Sequence, residues 1–182
     1  VRDATRGISI DADPGSTVFV RDNTIQGLFT YGILLGQGGI ATHIDGNFFE
    51  GIAIPANGGL IVISASGAPV GQVFIGPNSK GATTYANTIA SDFLCFDFGT
   101  MPTLSLEKLV DWKVNFSTLP TILKVHQCSL VFDNTDTLNF GIGATNLLLV
   151  SDSTFGSLSG TLNTAHICLR ASQGSYRTFN NF

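Results

Sequence analysis

Two aspartates, Asp22 and Asp45, stand 23 residues apart in a chain whose short motifs recur about every two dozen residues. If each recurrence stacks on the one before, the two carboxylates come to neighbouring rungs of one corner, about 4.8 Å apart along the stack. Two carboxyl groups near each other are what glycoside hydrolysis requires, roughly 5–5.5 Å apart for retention and 6.5–9.5 Å for inversion. Asp22 and Asp45 are therefore the candidate acid and base, with Glu50, one strand further on, as the alternate. Arg21 beside the first and His43 two residues before the second are candidate substrate contacts. Tyr31 belongs with Phe19, Phe29, Phe48 and Phe49 to an aromatic set that offers either a sugar-stacking platform or a core ladder. A plainer role competes with catalysis: Asp at a turn caps backbone amides in any protein.

Other chemistries fit less well. A lyase needs a base together with a cation or metal that stabilises the resulting anion. The tightest acidic pair, Asp11 and Asp13, has only Arg2 and Arg6 near it in sequence. His126 with Cys128 and His166 with Cys168 form two His-x-Cys pairs, and residues two apart on a strand share a face. Four such ligands would suit zinc. The 40 residues between the pairs are not a whole number of repeats, so no metal and no cofactor is expected. Gly36-Gln37-Gly38-Gly39 lacks the third spaced glycine and the following helix of a nucleotide-binding turn. Asn115-Phe116-Ser117 is a glycosylation acceptor only in a eukaryotic secretory setting.

The elements that must position these residues are short strands. Residues 18–27 (VFVRDNTIQG) overlay 42–51 (THIDGNFFEG) at an offset of 24, with Asn23 on Asn47, Val20 on Ile44 and Gln26 on Glu50. Weaker echoes follow at 73–81, 85–93, 123–132 and 148–157, and the last two overlay at 25, placing Val125 on Val150 and Leu130 on Phe155. Each theme is an alternating strand, a polar corner and an apolar pair leading onward. A repeat of this length signals stacked units that close one another's core. The expected fold is all-β: a right-handed single-stranded parallel β-helix of about seven coils of roughly 24 residues. Residues 1–182 read as a single domain, with 94–120 an irregular coil or insertion. A sandwich or barrel built from hairpins is the competing all-β architecture; Asp45-Gly46 and Asn57-Gly58 suit hairpin turns but do not recur at hairpin spacing.

Composition agrees. Charged residues make up 12% against 43% hydrophobic, and 21 glycines with abundant Ser, Thr and Asn supply the turns. Only two Glu and four Lys are present, so long amphipathic helices are not expected. A net charge of −4 with scattered Lys and Arg excludes a nucleic-acid surface. No apolar run is long enough for a membrane helix. Three cysteines, Cys95, Cys128 and Cys168, make no disulfide framework and read as buried thiols. The opening Val1-Arg2-Asp3-Ala4 reads as the start of a piece of something longer.

The motifs DNTIQG, GNFFEG and ANTIAS resemble the N-x-[hydrophobic]-x-G corners of pectin-lyase-like right-handed β-helices. Among these the chain most resembles the trimeric tailspikes and appendage proteins of tailed bacteriophages, well over residues 8–91 and loosely over 120–160. The resemblance implies a viral protein of the virion, a homotrimer, engaged in host adhesion through polysaccharide binding. Such families include hydrolases, lyases and inert spikes. The expected partner is a cell-surface polysaccharide, with no nucleic acid and no membrane. The alternatives are a structural virion component with no ligand, and an extracellular bacterial polysaccharide lyase or hydrolase.

Overall fold

In the second of two large sheets, alternation of apolar and polar residues writes the strands and their apolar half builds the core. First-sheet strands such as Gly59–Ile63 and Ser91–Cys95 are instead buried throughout. The computed structural model describes residues 6–27, 30–50, 52–86, 90–132, 138–140, 147–157, 167–169 and 175–179. Among them there is no helix, and every strand pairing is parallel. Parallel neighbours cannot be joined by tight hairpins, so the hairpin-built alternatives fall away. The architecture is compatible with a parallel β-helix.

Two sheets of seven strands carry the fold. The first stacks Arg6–Asp11, Tyr31–Gln37, Gly59–Ile63, Ser91–Cys95, Trp112–Phe116, Ser129–Phe132 and Thr154–Ser157. The second stacks Thr17–Arg21, Ala41–Asp45, Gln72–Ile75, Thr103–Glu107, Ile122–His126, Leu147–Ser151 and Ser175–Phe179. Chain order is stacking order in both, so the chain visits the two sheets alternately. A third, shorter sheet holds Thr24–Gln26, Phe48–Glu50 and Ser79–Lys80. Ile52–Ile54 pairs with Thr83–Tyr85, and Leu138–Phe140 with Ile167–Leu169.

In-register stacking turns the sequence alternation into columns. Val20, Ile44, Ile75, Leu106, Val125 and Val150 form one buried column of the second sheet. Ile10, Leu35, Ile63, Cys95 and Phe116 form its counterpart in the first. Burying each such side chain is worth about 1.5–3 kcal/mol, and together they form one continuous core. Leu34, Val62 and Leu94 stack separately, with Tyr31 and Phe96 packed against them.

Corner chemistry fixes where five of the second-sheet strands end. The residue after the strand adopts a left-handed conformation: Asp22, Gly46, Lys108, Gln127 and Asp152 have φ of 57°, 69°, 54°, 51° and 50°. The next residue turns its side chain inward. Asn47, fully buried, receives hydrogen bonds from the Asn23 amide and side chain at 3.1 and 3.0 Å. It donates to the Val20 carbonyl at 2.9 Å and to Asn78 Oδ1 at 2.9 Å. Asn78 repeats the pattern with the carbonyls of Ile44 and Gly76. Buried amides persist only when so satisfied, and the carbonyls they cap lie where the strands end.

The spacing is less regular than the 24 residues expected from sequence. Stacked partners are 24 residues apart at Arg21–Asp45, 31 at Asn47–Asn78, 21 at Asp92–Lys113 and 25 at Cys128–Ser153. The strands keep register while the connections change length. Segment 94–120 contributes Thr103–Glu107 and Trp112–Phe116 to the two large sheets. Its irregularity is the short link 108–111, which passes from the second sheet to the first with no strand on the third.

Candidate functional site

The side chains that can do chemistry fall into two groups, one on the outer face of the second sheet and one beside the interrupted third sheet. The outer group grows from strand alternation. Phe19 and His43 occupy outward positions in register, as do His43 and Phe74. Their rings form a column: Phe19 stacks on His43 with centroids 5.0 Å apart and planes 19° off parallel. Phe74 follows at 5.7 Å, tilted by 48°. Arg21 lies over the free face of Phe19, with Cζ 4.5 Å from the centroid, and its Nε reaches the two Asp45 oxygens at 2.9 and 3.0 Å. Phe19 keeps 56% of its surface exposed. Below the rings a shallow recess of about 230 Å³ is floored by residues including Phe74, Ser105 and Lys124.

Three residues expected at the site, Arg21, His43 and Asp45, therefore meet on one outer face. The other three do not join them. Asp22 stands at the left-handed corner position, its carboxylate stacked over Gly46, where a β-carbon would come within 2.4 Å of Oδ1. Glu50 lies on the third sheet and accepts a hydrogen bond from Gln26 Nε2. Tyr31 lies on the first sheet against the Leu34, Val62 and Leu94 cluster. Of the aromatic set, Phe49 is core, packed edge-on to Trp112 at 6.1 Å, while Phe48 and Phe19 face outward. Phe29 lies outside the described residues.

His126 and Cys128 do not present a common face. His126 ends its strand and turns outward, with Nδ1 2.7 Å from Ser151 Oγ. Cys128 lies past the strand end in the inward corner position, where its Sγ donates to the His126 carbonyl at 3.3 Å. The sharing of a face holds only while the strand continues. His166 and the side chain of Cys168 lie outside the described residues. Among the described residues no cluster of three His, Cys, Asp or Glu could hold a metal. The glycines at 36–39 serve the turn: a β-carbon on Gly39 would approach the Ser16 carbonyl oxygen to 2.1 Å.

The second group was not singled out by sequence. Asp92, wholly buried on the first sheet, is held by Lys80 Nζ at 2.5 Å, by the Tyr85 hydroxyl at 2.9 Å and by the Lys113 amide at 2.7 Å. Thr83 donates to Tyr85 Oη at 3.1 Å, and Lys113 Nζ reaches the Ala90 carbonyl at 2.7 Å while lying 5.0 Å from the centre of the Tyr85 ring. Burial pushes the Asp92 carboxyl above the ordinary range, opposed by Lys80 and the hydrogen bonds it accepts. Burial, reinforced by the Asp92 charge, raises Tyr85 as well. Asp92 has no exposed surface and its oxygens are taken by Lys80, Tyr85 and the Lys113 amide, so the network is a clamp that fixes Lys80. Lys80 lines a cleft of about 630 Å³ where the third sheet stops, opposite Lys108, Asp111 and Trp112. Two features of the sequence point to it: SDFLC and WKVNF each place one charged residue inside an otherwise buried strand, and such a charge requires a partner.

No family model matches the chain, and no curated protein or solved structure matches it significantly.

Proposed function

We propose that the chain is a right-handed parallel β-helix domain of a viral spike or appendage that recognises a host-surface polysaccharide. The column Phe19–His43–Phe74 with Arg21 and Asp45 beside it is the observation that carries this reading. Sugars present apolar C–H faces and hydroxyl edges, and the column offers ring faces next to a charged hydrogen-bonding pair. Its rise of one ring per rung suits an extended chain running along the stack. The two large parallel sheets and the corner ladder support the β-helix scaffold. The trimer and the virion setting rest on the resemblance of the corner motifs.

The reading is recognition before cleavage. Asp45 is engaged by Arg21 and Glu50 by Gln26, while Asp22 serves the corner, and these partners favour a binding surface. A panel of purified bacterial surface polysaccharides, immobilised and titrated with the protein, tests it. At least one should bind, and the Phe19→Ala, Phe74→Ala double variant should lose about tenfold in affinity. Loss of polymer length on incubation, abolished by Asp22→Asn or Asp45→Asn, would add the hydrolase. Absence of binding to any glycan, with the fold intact, leaves the structural-component reading.

A further inference from the structure

We propose that the cleft where the third sheet stops is a second binding site and that it takes the carboxylate of an acidic sugar. The class of ligand rests on the glycan reading above; the place and the charge go beyond it. The foundation is the state of Lys80. An ammonium has three N–H donors. Two are used, toward Asp92 Oδ2 at 2.5 Å and Tyr85 Oη at 3.4 Å, and the side chain keeps 15% exposure at the cleft wall. The third donor is left for whatever enters.

Asp92 cannot itself receive a ligand, because it has no exposure and its oxygens are filled by Lys80, Tyr85 and the Lys113 amide. It holds the Lys80 ammonium in one place, so the ordering of a long side chain is completed on folding and not on binding. Lys108 borders the cleft from the short link, and its one ionic contact among the described residues is Glu107 at 3.6 Å. Ser129 Oγ donates to Asp111 Oδ1 at 2.8 Å, which leaves Oδ2 as an acceptor toward the cleft. Ser79 and Thr83 add hydroxyls to the lining. Lys80 and Lys108 are each partnered by a carboxylate, Asp92 and Glu107, and keep N–H donors toward the cleft. With the Asp111 acceptor and the Ser79 hydroxyl they suit a ligand that is singly negative at one end and hydroxylated elsewhere. A phosphate monoester, close to doubly negative at neutral pH, would bring a second negative charge toward Asp111. The volume falls within the range of small-ligand pockets.

Trp112, the single tryptophan of the chain, is buried against the cleft wall, so a charge bound beside it shifts its emission without a label. The whole chain is titrated with an oligoglucuronate and, separately, with the same oligosaccharide after reduction of its carboxyl groups to alcohols. The acidic form should change Trp112 emission saturably and the reduced form should not. Lys108→Gln should weaken binding about tenfold. Lys108 is exposed and takes no part in the Asp92 network, so this variant keeps the fold. Lys80→Gln, with its fold checked by circular dichroism, should weaken binding at least as much. Equal responses to both oligosaccharides, or unchanged affinity in Lys108→Gln, overturn the proposal. Phe19→Ala separates the two readings, because it should leave the Trp112 response intact. If the cleft fails while panel binding survives and is lost in Phe19→Ala, only the cleft proposal falls; if no glycan binds in either assay, both fall.

Discussion

A residue in the left-handed region is tolerated where its surroundings compel it, and Gly46 is the corner where that compulsion is tightest. A side chain there would meet both the positive φ of 69° and the Asp22 carboxylate 2.4 Å away. Gly46→Ala should cost about 1–3 kcal/mol, read from the midpoint of urea unfolding at unchanged slope. Thr42 makes the opposite case. It points into the core column between Val18 and Val73, and its hydroxyl has no hydrogen-bond partner. Thr42→Val removes an unsatisfied polar group at constant shape and should stabilise by about 1 kcal/mol, seen as a raised Tm. Burial also raises the thiols of Cys95 and Cys128. In a Cys168→Ser background neither should react with a maleimide at pH 8 in the folded protein, since the thiolate is the reactive form. Both should react once the chain is unfolded in urea; rapid labelling of the native protein would contradict the buried placement.

At the scale of elements, what was legible in the sequence was what strand register preserves. The overlay of 18–27 on 42–51 placed Val20 on Ile44 and Gln26 on Glu50, and the sheets pair those residues. Val125 on Val150 and Leu130 on Phe155 were readable for the same reason. Connection lengths were not, because a corner can shorten to 108–111 or lengthen through Ser79–Tyr85 without disturbing the columns on either side. Two turns of different length displaced the repeat and hid the clamp. Asp92 meets Lys80 and Tyr85 from 12 and 7 residues away, and Lys113 from 21, spacings that match no motif. The outer column was half legible: Arg21, His43 and Asp45 were picked for charge, while Phe74 was missed because its overlay required an offset of 31. The clamp makes its own prediction. Lys80→Met leaves Asp92 buried without its cation and should destabilise by about 3 kcal/mol, whereas a change below 1 kcal/mol would show that Asp92 does not depend on it.

For the whole molecule, the outer column, the corner ladder and the cleft occupy different parts of one stacked scaffold. Each depends on the register of the stacked strands. The spike reading adds assembly: light scattering should give three times the 19.2 kDa of the chain, and a monomer would remove the trimer while leaving glycan recognition standing. Recognition itself is tested most directly by saturation-transfer NMR on the panel polysaccharide that binds. Irradiation of the aromatic protons should pass saturation to the C–H face of the sugar rings, and Phe19→Ala should abolish most of that transfer. A bound glycan whose saturation pattern is unchanged in Phe19→Ala and Phe74→Ala would contradict the account.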